Sequence, residues 1–211
     1  MNNMQLHLHQ SPDHISDTIR SGKFYEYLIF LQFEPNIPKY GTFLDIGANI
    51  GNHSMMFREH FNNKIISFEG NPLNYVLLYK NTTQLVDIKS ICVGLSNKSG
   101  LTEFCYDFEN FGGGGIFPHL ENKFSTIPVY LTTLDSFKFD DISFIKMDVE
   151  NHEMQVIEGA LNTIKINKPT IWIEDFFYNI DKTKSPTEYL INELNYKLID
   201  QNESNFLLKY E

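Results

Sequence analysis

The chain carries Asp45-Ile46-Gly47-Ala48-Asn49-Ile50-Gly51-Asn52-His53 directly after the apolar pair Phe43-Leu44. An apolar run ending in Asp-x-Gly-x-x-x-Gly reads as a buried strand turning sharply into a helix. Glycines at such a turn let the backbone approach a ligand with no Cβ in the way, and a helix starting near Asn52 offers unpaired N–H groups. That is the local chemistry of a nucleotide site. A second apolar run, Ile65-Ile66-Ser67-Phe68-Glu69, ends in an acid about 20 residues further on, where an adenosine ribose would present its hydroxyls. Phe144-Ile145-Lys146-Met147-Asp148 ends in an acid as well. Ligands of an open parallel sheet sit at the carboxyl ends of its strands, so Asp45, Glu69 and Asp148 are expected to line one crevice.

The turn also separates two nucleotide chemistries. A dinucleotide site uses Gly-x-Gly-x-x-Gly to bring a helix N-terminus to a pyrophosphate. Here Asp45 stands two residues before the first glycine, where a carboxylate repels a pyrophosphate and suits a ligand carrying an ammonium and a sulfonium. The residues therefore point to S-adenosyl-L-methionine, with a nicotinamide dinucleotide as the alternative.

The elements that must position these residues follow from apolar spacing and capping signals. Residues 1–18 form a polar segment in which His7, His9 and His14 either bind metal or belong to a frayed terminus; fraying is the expectation, and no function is assigned. Residues 19–211 are expected to form a single domain. Apolar spacing predicts a helix over Ile19–Phe33, ended by Pro35 and Pro38. Another is predicted from Asn52 to about Phe61, and a third after the cap Asn71-Pro72 with Leu73, Val76 and Leu77 as its buried stripe. Ile88–Leu95 reads as a strand, and 96–133 as irregular with short strands. Its run Gly112–Gly115 is either a loose surface loop or a stretch lying flush on a ligand. After Asp148, a helix places Val156, Ile157, Ala160, Leu161 and Ile164 on one face, and Ile171-Trp172-Ile173-Glu174 is a further strand. Ser185-Pro186-Thr187-Glu188 is a capping box opening a helix with Leu190, Ile191 and Leu194 buried. Lys197–Asp200 and Phe206–Tyr210 are joined by too few residues for a parallel crossover and must form an antiparallel hairpin. The whole describes an α/β sandwich with a mostly parallel sheet.

With 211 residues the chain fits one domain with a full core. Its formal net charge is -10 without a basic stripe, which argues against a nucleic-acid partner. Cys92 and Cys105 are too few for a disulfide framework and are expected to be ordinary buried or half-buried thiols. No apolar run nears the ~18 residues of a membrane span, and no basic-then-apolar leader is seen. The expectation is a soluble, cytoplasmic protein with no integral membrane segment; the sequence leaves its oligomeric state open.

These segments together resemble the FkbM-type family of S-adenosylmethionine-dependent methyltransferases. The resemblance is carried by Leu44–His53, Phe68-Glu69-Gly70-Asn71-Pro72, Asn110-Phe111-Gly112-Gly113, Thr133-Leu134-Asp135 and Ile145–Glu153, in the family's order. It implies a Rossmann-like, seven-stranded class I methyltransferase sheet and an O-methyltransferase acting on a glycan or small natural product. With the glycine turn it makes Asp45, Gly47, Ala48, Asn49, Gly51, Asn52, His53, Glu69, Gly70 and Asn71 the candidate cofactor-binding residues. Two departures stand out. Glu69-Gly70-Asn71-Pro72 replaces the family's Glu-Pro-x, and Asn151 replaces the glycine of Asp-x-Glu-Gly-x-Glu, where its bulk is expected to crowd the acceptor side.

Methyl transfer from a sulfonium is an in-line displacement, so alignment supplies much of the rate, and a hydroxyl acceptor must also lose its proton. Asp148, Glu150, His152 and His53 are the candidates near the crevice, with Asp148 and Glu150 favoured. Asp148 could instead hold the methionine ammonium, and a histidine at a helix start, such as His152, is more often a capping or packing residue. No metal-ligand set stands out by spacing. Two rival functions remain at this level: a non-catalytic module that keeps the cofactor fold, and a nicotinamide-dependent oxidoreductase.

Overall fold

A computed structural model describes residues 6–10, 14–107, 110–116 and 125–211. Two short helices, α1 (His14–Arg20) and α2 (Tyr27–Phe33), precede the first strand, β1 (Thr42–Ile46). The single helix expected over Ile19–Phe33 is broken because Gly22 and Glu26 take left-handed backbone angles, φ +83° and +58°, which no right-handed helix continues through. Next come α3 (Asn52–His60), β2 (Lys64–Glu69), α4 (Pro72–Thr82) and β3 (Ile88–Cys92).

The stretch expected to be irregular is a second sheet: β4 (Gly94–Leu95), β5 (Gly100–Asp107), β6 (Asn110–Gly115) and β7 (Ser125–Thr132), in the order β4-β7-β5-β6. The strand expected over Ile88–Leu95 therefore splits at Val93, its last two residues joining the new sheet. The glycine run is β6, paired with β5. The remaining elements are β8 (Ile142–Met147), α5 (Glu153–Glu158), α6 (Leu161–Asn167), β9 (Thr170–Glu174), α7 (Pro186–Leu194), β10 (Tyr196–Asn202) and β11 (Asn205–Tyr210).

The main sheet has seven strands in the order β10-β11-β9-β8-β1-β2-β3. β1, β2, β3, β8 and β9 pair in parallel, and β11 runs antiparallel to both of its neighbours, as a terminal hairpin requires. β1 and β8 are buried along their whole length because both faces are covered. On one face Phe30, Phe33, Phe57 and Trp172 pack around Phe43 and Phe144; on the other, Val156, Ile157, Ile164 and Leu190 pack against Leu44, Ile145 and Met147. Truncating a ring such as Phe144 would cost about 3–5 kcal/mol.

Several local expectations are corrected. Leu73 and Val76 on α4 are exposed, and the helix turns Asn74, Leu78, Asn81 and Thr82 inward instead. That face is polar because it meets backbone: Asn81 accepts from the His7 N–H and donates to the carbonyls of His7 and Ile50. His9 joins the same face, its ring 2.9 Å from Asn74 Oδ1, so residues 6–10 dock on α4 rather than fray. The helix after β8 is interrupted at Gly159, where an added Cβ would lie 1.9 Å from the Ser96 carbonyl oxygen. Ser185 caps α7 by accepting from the Glu188 N–H at 3.0 Å. Cys92 is exposed, on the edge strand β3. Among the described residues no helix is long and apolar enough to cross a membrane.

Candidate active site

The turn after β1 is shaped by close backbone approach. Gly47 has φ +81°, and a Cβ there would lie 1.7 Å from the Asp148 carbonyl oxygen, so the end of β8 closes directly over it. Asn49 (φ +49°) and Gly51 (φ +97°) complete the turn, Gly51 standing as the residue before α3. Above it opens a cavity of about 370 Å³ at the carboxyl ends of the parallel strands, within the size range of small-molecule sites.

Of the residues expected at the site, Gly47, Ala48, Asn49, Asn52, His53, Glu69, Gly70, Asp148, Glu150 and His152 line this cavity. Asp45, Gly51 and Asn71 do not. The side chain of Asp45 turns into the protein, fully buried, and accepts from Ser54 Oγ at 2.5 Å, with Ser67 Oγ 2.7 Å beyond. Two of the three strand-end acids, not all three, therefore face the ligand space. Asn71 caps α4, accepting from the Leu73 N–H at 2.9 Å. Asn151 is exposed, takes a left-handed backbone angle of φ +68°, and does not line the cavity, so it does not crowd it.

Glu69 is 6% exposed, and each of its oxygens accepts one backbone N–H, from Asn49 at 2.8 Å and Asn71 at 2.7 Å. Burial dominates these bonds and pushes its carboxyl up to about 7, helped by Asp45 and Asp148. Both oxygens keep a second lone pair for a ligand.

At the other end lies a mixed-charge cluster. Lys146, 1% exposed, donates to Asp148 Oδ2 at 2.7 Å. Burial alone would pull this ammonium down, but Asp148, Glu26 and Asp45 hold it above the usual lysine value. Burial likewise opposes ionisation of Asp148, yet Lys146 and a hydrogen bond from Glu174 keep it below the ordinary carboxylate range. Glu174 takes the opposite state: burial and the Asp148 charge raise it to about 9, and Ser204 Oγ lies 3.1 Å from its Oε1. Glu150, at φ +54°, is raised to about 7 by burial, Asp148 and Glu153. His152 is pushed down by burial and sits 2.9 Å from Ser96 Oγ, which ties it to the second sheet. The cluster thus combines a fixed anion, a proton-bearing carboxyl and a carboxyl poised near neutrality.

Lys146, Glu174, Tyr25 and Glu26 belong to this site and were not singled out from sequence. A lysine inside Ile142–Met147 and a fourth strand ending in acid, Ile173-Glu174, were the available signals, because buried charges need partners. The apolar wall from Phe104, Val129 and Leu131 comes from the second sheet, with Gly114 so close to the Phe104 ring that a Cβ would lie 2.7 Å from it. Thr133-Leu134-Asp135 serves the scaffold instead: Asp135 accepts from the N–H groups of Asn162 and Thr163 at 3.0 and 2.7 Å and so caps α6.

Comparison with known proteins places this geometry. The chain is similar in fold to the methyltransferase FkbM from Methylobacillus flagellatus KT, at 20% identity and a TM-score of 0.56 over 82% of this chain, while spanning 44% of that chain. It is similar to the provisionally named methyltransferase yhhF of Escherichia coli, at 12% identity and 0.55 over 98% of this chain and 91% of that one. A third similar structure is an rRNA methylase from Streptococcus thermophilus, at 12% identity and 0.50 over 88% of this chain and 96% of that one. At these identities the likeness is one of fold. No curated protein matches the chain. A family model, however, matches residues 45–201, from the glycine turn to the terminal hairpin, and by that match the chain belongs to the methyltransferase FkbM domain family.

Proposed function

We propose that this chain binds S-adenosyl-L-methionine in the cavity above Gly47 and methylates a hydroxyl of a sugar or similar small polar molecule. The observation that carries the reading is one cavity holding a buried carboxylate at the end of β2, an acid-rich cluster at the ends of β8 and β9, and an apolar wall alongside. These groups suit the ligand: Glu69 accepts from ribose hydroxyls, the apolar wall covers a base, and the anionic end favours a cation. Bound there, the cofactor supplies an electrophilic methyl group on a sulfonium.

The chain's own part is alignment and proton handling. Asp148, locked by Lys146 and Glu174, is a fixed negative charge rather than a base. Glu150 is the better base, because a carboxyl near 7 is half-ionised at neutral pH and can take a hydroxyl proton. His152, bonded to Ser96, orients the wall beside it. The net charge of -10 disfavours a polyanionic acceptor.

Isothermal titration tests the first half of the proposal: saturable binding of S-adenosylmethionine or S-adenosylhomocysteine is expected, and binding of NADH alone would overturn it. For the second half, glycan and metabolite extracts are incubated with methyl-labelled cofactor and read by mass spectrometry. Label confined to RNA or protein would refute the acceptor class.

A further inference from the structure

His152 stands just before α5, where a polar side chain ordinarily caps a helix, yet its ring makes no capping bond. It lines the cavity, and its Nε2 is taken up instead by Ser96 Oγ at 2.9 Å, on the residue after β4. Ser96 is itself held in place. Its N–H donates to the Thr132 carbonyl at 2.9 Å, and its own carbonyl oxygen lies against Gly159, at the other end of α5, where an added Cβ would come within 1.9 Å of it. From Ser96 the polar groups continue to the surface: Ser96 Oγ donates to Asn97 Oδ1 at 3.5 Å, and Asn97 Nδ2 donates to Glu158 Oε2 at 2.7 Å, Asn97 and Glu158 both being exposed.

Each link fixes the direction of the next. A carboxylate only accepts, so Glu158 turns the amide donor of Asn97 towards itself and leaves Oδ1 facing Ser96. That oxygen also only accepts, so it draws the single hydroxyl proton of Ser96, a residue 2% exposed and thus shielded from solvent. Ser96 Oγ then meets His152 with a lone pair, and the ring donates from Nε2. Burial holds the imidazole below its ordinary value, so at pH 7 and above it is neutral and carries one proton. Nδ1 is left with a lone pair, and among the described residues it has no hydrogen-bond partner. The opposite tautomer keeps the 2.9 Å contact but takes the Ser96 proton away from Asn97. Because the 3.5 Å link is long, the preference rests on a weak bond and is sensitive to its loss.

We propose that Ser96, Asn97 and Glu158 are positioning residues that keep the His152 proton on Nε2, so that Nδ1 accepts a hydrogen bond from the methyl acceptor in the cavity. The inference rests on the hydroxyl-acceptor reading above and adds a binding contact to it, leaving proton removal to Glu150. An unprotonated ring nitrogen selects a group that brings its own proton, a hydroxyl or an amide N–H, over a carboxylate or phosphate oxygen that brings none.

Nitrogen-15 NMR of the imidazole at pH 8 reads the tautomer with no acceptor present, the His152 signals being those lost in His152→Gln. The unmutated protein should show mainly the Nε2–H form. Asn97→Ala, a surface change, should move the ratio about threefold or more towards Nδ1–H, the effect of losing one weak hydrogen bond. Two amide variants then separate the ring nitrogens in label transfer from methyl-labelled cofactor into extracts. His152→Gln reaches Ser96 but offers nothing where Nδ1 stood, and should lower transfer about fivefold or more. His152→Asn places its amide oxygen near the Nδ1 position and should retain more transfer than His152→Gln, with S-adenosylhomocysteine affinity within about twofold in both. A mainly Nδ1–H ring in the unmutated protein, or a ratio unmoved by Asn97→Ala, overturns the positioning role. Full transfer in His152→Gln overturns the contact at Nδ1. Absence of label with the unmutated protein overturns the hydroxyl-acceptor reading itself, which the acceptor-free tautomer measurement tells apart from a failure of the positioning residues.

Discussion

At the scale of single residues, burial divides the carboxyls of this site into different proton states. Glu69 is raised to about 7 even though two backbone N–H groups favour its ionised form, because desolvation outweighs them. Ribose hydroxyls donate to a carboxylate and not to a carboxylic acid's proton-bearing oxygen, so cofactor affinity should rise with pH through 7 and fall by up to tenfold per unit below it. Glu69→Gln should flatten that profile and weaken binding at pH 8 by at least tenfold, since each charge-assisted bond is worth about 1.5–3 kcal/mol. Titrations at pH 6, 7 and 8 on both proteins check this; a pH-independent affinity in the unmutated protein assigns Glu69 to bracing the turn alone. Glu150 makes the complementary prediction. Glu150→Gln should cut label transfer into extracts at least tenfold while S-adenosylhomocysteine affinity holds, the signature of a group acting mainly in the transition state. Parallel losses in both would place it in cofactor capture.

At the scale of elements, legibility followed how local the determining physics is. The glycine turn, the α7 cap and the terminal hairpin were readable because each is fixed by a few adjacent residues. The second sheet was not, although β7 alternates with Val129 and Leu131 inward, because pairing β5 with β7 depends on contacts far apart in sequence. The stripe on α4 misled because its inward face meets the backbone of residue His7, and apolar spacing carries no sign of that partner. Asp45 misled because a carboxylate at a strand end can face either side of the sheet, and Ser54, itself bonded to Ser67, claims it. Two glycines separate backbone conformation from crowding. Gly22 and Gly47 share nearly the same φ, +83° and +81°, but a Cβ on Gly22 meets nothing within 4 Å while one on Gly47 strikes the Asp148 carbonyl. Gly22→Ala should therefore cost about 1–2 kcal/mol, the left-handed penalty alone, and Gly47→Ala about 1–3 kcal/mol more. Urea unfolding of the two variants measures the difference, and equal losses would mean that β8 does not press on the turn.

At the scale of the whole molecule, the same buried carboxyls make stability depend on pH in an unusual direction. Many proteins lose stability in acid because their carboxylates are held ionised in the native state. Here Glu69, Glu150 and Glu153 are raised to about 7 and Glu174 to about 9, burial being the largest cause for each. The folded chain keeps protons that the unfolded chain releases near the ordinary glutamate value, so unfolding releases protons and stability falls as pH rises between about 4.5 and 9, by up to ~1.4 kcal/mol per pH unit for each group still protonated. Of the groups shifted the other way, His152 acts inside this window: burial holds its imidazole below the ordinary 6.5, so it adds stability as pH rises towards 6.5 and opposes the trend there. The others act outside it. Asp148 and Glu26, held below the ordinary range, withdraw stability only in stronger acid, and Lys146, held above it, only in stronger base. The net charge of -10 grows more negative over the same interval and adds self-repulsion in the same direction. Thermal melts at constant ionic strength should therefore give a lower Tm at pH 8 than at pH 6. Glu174→Gln, which keeps the carboxyl's shape without its titration, should lessen the fall between pH 7 and 9. A Tm that rises from pH 6 to 8 would show that water or a counter-ion reaches these carboxyls and that the acid-rich floor of the cavity is ionised throughout.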